Sequence, residues 1–189
     1  LAINENYHEK TVLLGGEAFG IKMFSDGVLV VEIEDSVNGS ELPSPAIEAD
    51  IKINDIIKSV NGISIKSNEQ FTEIIRTCNK KELSIALERN GNTVFTTLTP
   101  QYDSKNILRV GMWIKDSAAG IGTITYYDPE NESFGALGHG IYENQTGLLI
   151  PLSYGEITKA TIKDVNKSTD GKVGTLNGYF EKEIIGHAN

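Results

Sequence analysis

The sequence predicts a mostly β fold with one main helix, in two domains that meet near residue 103. Three observations carry this. Short apolar runs alternate with polar residues and are separated by Gly, Asn and Asp turns. One stretch has helical periodicity behind a capping residue. Glycine supplies 19 of the 189 residues, about 10% against an ordinary ~7%, which implies many tight turns.

In the first domain, residues 1–103, Val28-Leu29-Val30-Val31-Glu32-Ile33 is an apolar, β-branched strand entered through the turn pair Asp26-Gly27. Ile56-Ile57-Lys58-Ser59-Val60 is a second strand, closed by Asn61-Gly62. Ser67-Asn68-Glu69-Gln70 has the form of a capping box, with serine at the N-cap and glutamine three residues on. Phe71, Ile74, Ile75 and Cys78 then fall at i, i+3, i+4 and i+7, an apolar stripe along one helix face. Leu83, Ile85 and Leu87 alternate with polar residues, as do Val94, Thr96 and Leu98, and Asn90-Gly91 between them signals a hairpin. The polar stretch Pro100–Asn106 has no apolar periodicity and marks the boundary.

The second domain, residues 104–189, has no helix of useful length. Its apolar runs, Leu108–Ile114, Gly122–Tyr127 and Thr158–Ile162, are separated by glycine, Asp-Pro and Asn-rich turns, the pattern of an all-β barrel or sandwich.

Composition excludes several functions. The formal net charge of −9 argues against a protein that grips a nucleic-acid backbone. A single cysteine removes an intrachain disulfide framework, and without a His-x-x-x-His pair no metal site or other cofactor is expected. No apolar run reaches the roughly 18–20 residues of a membrane-spanning helix. The chain opens at Leu1 with no methionine and no charged-then-apolar leader, so it reads as a fragment from which any targeting segment has been lost.

Three pieces of the first domain resemble a PDZ domain. They are Ala18-Phe19-Gly20-Ile21, an apolar-Gly-apolar loop; Ser44-Pro45-Ala46 with Ala49-Asp50-Ile51-Lys52-Ile53-Asn54-Asp55-Ile56-Ile57; and Ser59-Val60-Asn61-Gly62 before the capped helix. Asp50 and Asn54 stand where the bacterial pattern has glycines, and Asp and Asn are the residues that best replace glycine at positive φ. The resemblance implies recognition by strand addition, of a C-terminal or an internal peptide segment. Gly20 would let the loop backbone approach a carboxylate, Phe19 and Ile21 would turn their side chains to a pocket or the core, and Phe71 and Ile75 would wall the groove.

In the second domain the residue to explain is His139, set between Gly138 and Gly140. A lightly packed imidazole that titrates near neutral pH suits proton transfer, although a turn histidine with a satisfied ring nitrogen fits the same local pattern. The wider order of Asp116-Ser117-Ala118-Ala119-Gly120-Ile121-Gly122-Thr123, Tyr127-Asp128-Pro129-Glu130 and Gly135-Ala136-Leu137-Gly138-His139 resembles the stage IV sporulation B serine peptidases of endospore-forming bacteria. That resemblance implies the first part of a chymotrypsin-like (trypsin-like) β-barrel, with His139 as general base. The family's Gly-Met-Ser-Gly-Ser-type nucleophile motif does not occur before Asn189, so the triad serine and acid are expected beyond it and this fragment is expected to be inactive. Ser117 lacks the Gly-x-Ser-x-Gly context of a nucleophile elbow.

The resemblance further implies a signalling endopeptidase between the forespore and mother-cell membranes, with a membrane-spanning or secretory segment expected upstream of Leu1. It would cleave itself and a membrane-bound regulatory partner, and so trigger sigma-factor processing. The alternative is a non-catalytic PDZ-type adaptor whose second domain is a structural β scaffold.

Overall fold

Alternating β-branched and polar residues build long strands here, and the stretch capped by Ser67 builds the main helix. The computed structural model describes residues 10–37, 41–78, 82–143, 147 and 149–188. In chain order these form β1 (Leu13–Leu14), β2 (Ala18–Ile33), α1 (Pro45–Glu48), β3 (Ile56–Val60), β4 (Ile63–Ser64), α2 (Asn68–Thr77), β5 (Leu83–Arg89), β6 (Asn92–Leu98), β7 (Gln101–Tyr102), β8 (Leu108–Arg109), β9 (Met112–Asp128), β10 (Ser133–Ala136), β11 (Leu152–Asn166) and β12 (Thr175–Ala188). The fold is mostly β with one main helix, as the sequence predicts.

The chain divides into two compact units. A helical unit comprises Met23–Ala118 and Gly140–Gly155; a strand unit comprises the residues up to Lys22 with Ala119–His139 and Glu156–Ala188. Strands β2, β9 and β11 contribute residues to both.

In the helical unit, β2 pairs with β3 (Val28↔Ile57, Leu29↔Ile56), β3 with β5, and β5 with β6. Turn chemistry fixes the registers. Val60 opposes Ile63 across Asn61-Gly62, and Arg89 opposes Asn92 across Asn90-Gly91. Both residues of each pair have positive φ: 51° and 78°, then 52° and 76°. That is the geometry a two-residue turn needs to follow the strand twist. Asp50 (53°) and Asn54 (75°) also have positive φ, as their place in the PDZ-like pattern implies. Asp26-Gly27 behaves differently from expectation. It lies inside β2, where Gly27 has φ 119° and a Cβ would meet the Ile57 carbonyl at 2.6 Å. The pair therefore accommodates an irregularity in one long strand instead of ending it.

Both faces of β2 are covered. Val28 and Val30 join a core with Ile57, Val60, Phe71, Ile75, Leu83, Ile85, Leu87 and Leu98, while Leu29 and Val31 pack with Ile56 and Ile150. The Ser67 side chain caps α2 by accepting from the Gln70 N–H (3.1 Å). The Gln70 side chain accepts from Lys66 N–H (2.9 Å) instead of closing the box on Ser67 itself. Beside this core the Asp55 carboxylate is 1% exposed and grips Arg89 through two bonds, Nε–Oδ1 at 2.7 Å and Nη2–Oδ2 at 2.6 Å. Hydrogen bonding to Asp55 keeps the guanidinium protonated far above its ordinary range. Arg89 in turn holds the Asp50 carboxyl below its usual range.

The polar stretch Pro100–Asn106, read as the domain boundary, contains β7 and most of the tight turn from β7 into β8. The Asp103 carboxylate accepts from the N–H groups of Ile107 (2.8 Å) and Lys105 (2.9 Å) and from Arg109 Nε (3.0 Å). Its pKa is lowered, chiefly by the Ile107 N–H.

In the strand unit, β1 and β10 both pair antiparallel with β9 (Leu13↔Tyr127 and Phe134↔Tyr127), and β12 pairs with β11. Phe19 packs edge-on to Phe134, with ring centroids 5.9 Å apart, and Gly122 lies directly under the Phe19 ring. Asp128, almost fully buried, is ion-paired with Lys10. These strands do not close into a barrel among the described residues.

Candidate functional site

The residues singled out for peptide recognition fall into both units. Phe71 and Ile75 lie on α2 in the helical unit, where the i, i+4 spacing puts both into the core at 3% and 5% exposure. Phe19, Gly20 and Ile21 belong to the strand unit. Phe19 is buried, and the open side of Gly20 faces the Phe180 ring and Thr158 Oγ1, so a Cβ there would collide with both.

Beside α2 the helical unit carries an arrangement that sequence reading missed. The edge of β2 opposite β3 is taken by β9. Glu34 N–H donates to the Gly111 carbonyl (3.0 Å), and Ser25 Oγ donates to the Asp116 carbonyl (3.1 Å). Met112 and Ile114 turn toward the core that contains Phe71 and Ile75. Trp113 and Lys115, the alternate residues, reach other partners: Trp113 Nε1 donates to Glu34 Oε1 (3.1 Å), and Lys115 Nζ to the buried Glu143 Oε1 (2.6 Å). At the helix N-terminus, Asn68 N–H donates to Asp116 Oδ2 (2.9 Å) and Asn68 Nδ2 donates to the Ile114 carbonyl (3.2 Å). A carboxylate there meets unpaired N–H groups and the positive end of the helix dipole. The capping box marked this terminus in the sequence, but nothing local links it to an acid 48 residues away.

The Ser117 hydroxyl donates to Asp116 Oδ1 (2.8 Å), so it helps to hold that carboxylate. His139 lies in the loop after β10 with its side chain exposed. Its neighbours differ. A Cβ at Gly138 would meet open space, while one at Gly140 would meet Leu149 Cδ1 at 2.9 Å and the Tyr142 ring.

Comparison with known proteins finds two matched stretches, each drawing on both units. A PDZ domain family model matches residues 18–99, and the SpoIVB peptidase S55 family model matches residues 106–188. The chain is thus similar to a PDZ domain over its first part and to a peptidase family over its second. The two matches, in this order along the chain, are the pairing that the sequence resemblance implied. It is 33% identical over 105 residues to the "Probable protease eep" of Enterococcus faecalis, an alignment covering 53% of this chain and 25% of that protein. The chain therefore spans about a quarter of the length of this curated relative. Among solved structures it is similar to the PDZ domain of the SdrC-like protein from Listeria monocytogenes, with 20% identity, a TM-score of 0.40, and coverage of 47% of this chain and 87% of that one.

Proposed function

We propose that the intact protein is a sporulation serine endopeptidase that cleaves itself and a membrane-bound regulatory partner, in the space between the forespore and mother-cell membranes, and so triggers sigma-factor processing. The observation that carries this reading is the match of residues 106–188 to SpoIVB peptidase S55. The exposed His139, in its glycine-flanked loop within that segment, supports it. In this reading His139 is the general base. Its ring accepts the proton of a serine hydroxyl as that oxygen attacks the scissile carbonyl, then returns the proton to the departing amine. The serine and its oxyanion donors are assigned outside residues 1–189, which contain no Gly-x-Ser-Gly motif. The PDZ module supplies recognition of peptide segments, with Phe71 and Ile75 walling the groove. Phe19, Gly20 and Ile21, which the sequence resemblance offers as the carboxylate loop, lie within β2. Because any side chain at Gly20 meets Phe180 and Thr158, a Gly20 variant tests packing before it tests binding.

The test uses the intact protein. His139→Ala should reduce self-cleavage by at least about 10³-fold, because the general base and the nucleophile act as one unit. A fluorophosphonate probe should label the parent and fail on the variant. Undiminished cleavage by His139→Ala would remove the histidine from its role. A parent that neither cleaves itself nor takes the probe would favour the adaptor reading.

A further inference from the structure

Strand addition to a PDZ module has three physical components: backbone pairing along a free strand edge, insertion of alternate side chains beside the helix, and capture of a carboxylate by N–H groups. Residues 111–116 of this chain supply all three within the helical unit. They lie along the edge of β2 that β3 leaves open. Met112 and Ile114, two residues apart, pack onto the core that includes Phe71 and Ile75. The Asp116 carboxylate is held by the N–H of Asn68 at the start of α2. We propose that Met112–Asp116 is a built-in ligand of the PDZ core, latched at Asp116, and that a peptide binds this edge by displacing it. The proposal rests on the reading of the PDZ module as a peptide binder and names the occupant of its groove.

The consequence follows from position in the chain. The latched segment lies at the beginning of the stretch that matches the peptidase family, residues 106–188. A peptide that takes the β2 edge must free Met112–Asp116, so PDZ occupancy and the entry to the peptidase segment become one equilibrium. The fastenings differ in strength. Asn68 to Asp116, at the helix terminus, and Lys115 to the buried Glu143 are charge-assisted bonds, whereas Asn68 Nδ2 to the Ile114 carbonyl is a bond between neutral groups. Loosening Asp116 should therefore release the segment while the pairing of β3, β5 and β6 stays intact.

The experiment compares the 189-residue chain with Asp116→Ala by amide hydrogen–deuterium exchange and by fluorescence polarisation. The probe is a labelled peptide of the sequence Val-Gly-Met-Trp-Ile-Lys-Asp-Ser, copied from residues 110–117. In the parent, residues 112–116 and 28–33 should both be protected and the peptide should bind weakly. In the variant, residues 112–116 should exchange about 10- to 100-fold faster, the span expected for losing one hydrogen bond to a charged group. The peptide should bind tighter by the same factor. Unchanged protection of 112–116 overturns the latch. Release of 112–116 without peptide uptake overturns the peptide-binding reading instead, and the displacement with it. If Asp116→Ala also loses protection in Ile56–Val60 and Leu83–Arg89, the whole unit has opened. Asn68→Ala, which removes only the side-chain donor to Ile114, then gives the same two readouts, and normal protection of 112–116 in that variant counts against the proposal.

Discussion

The two units are both built from strands, yet they hold themselves together differently. The helical unit has a continuous core in which Val28, Val30, Ile57, Val60, Leu83, Ile85, Leu87 and Leu98 are shielded from solvent. Its turns are set by residues suited to positive φ, and its buried acids Asp55 and Glu143 are paired. In the strand unit Phe19 and Ile157 are buried, while every residue from Thr175 to Ile185 on β12 is exposed. Backbone pairing is present in both. Burial, at roughly 25 cal/mol per Å² of apolar surface, is what separates them. A ladder of hydrogen bonds gives shape, but stability follows the apolar area removed from water.

The contrast can be broken by measurement. The largest effect is expected at Arg89. Arg89→Ala leaves the Asp55 carboxylate buried without its bidentate partner and should cost about 3–5 kcal/mol in urea unfolding. A loss below about 1 kcal/mol would mean that water replaces the guanidinium and that the helical unit is looser than its burial suggests. Next comes a paired test. Ile85→Ala, at a fully shielded position, should cost about 2–5 kcal/mol. Ile184→Ala, at a residue 46% exposed, should stay within about 0.5 kcal/mol. Equal losses would show β12 to be covered in solution and would erase the difference between the units.

The smallest effect sharpens the strand unit and depends on pH. Hydrogen bonding to Lys10, helped by the Glu130 N–H, lowers the Asp128 pKa. Stability from a depressed carboxyl is complete above its unfolded value, about 3.9, and is lost as pH falls through the folded value. Asp128→Asn should therefore be less stable than the parent at pH 7. The gap should close in acid, below the ordinary carboxylate range. A gap that widened as pH fell would mean that Lys10 does not hold the ionised form.

Much of the helical unit was legible because its code is local. Asn90-Gly91, Asn61-Gly62 and the Ser67 cap each act within four residues, and Asp50 and Asn54 carry positive φ in side chains that tolerate it. The helix stripe also put Phe71 and Ile75 on one apolar face by spacing alone. What could not be read was pairing at long range. Nothing near Met112 indicates that it will lie beside a strand more than 75 residues earlier, and nothing near Asp116 points to Asn68. The turn reading of Asp26-Gly27 shows the same limit: its local preference is real, but partners from distant segments keep β2 running through it. His139 stood out through its glycines, while the buried Glu143 that receives Lys115 carried no signal in its own neighbourhood.

Strand β12 has a practical consequence for solutions of this chain. It is 14 residues long and has one partner, β11, among the described strands. It displays Tyr179, Phe180, Ile184 and Ile185 to solvent. A long apolar edge of this kind is a template on which other chains can add. The purified chain should therefore behave as a colloid whose size grows with concentration, and a charged residue such as lysine at Ile184 should keep it dispersed.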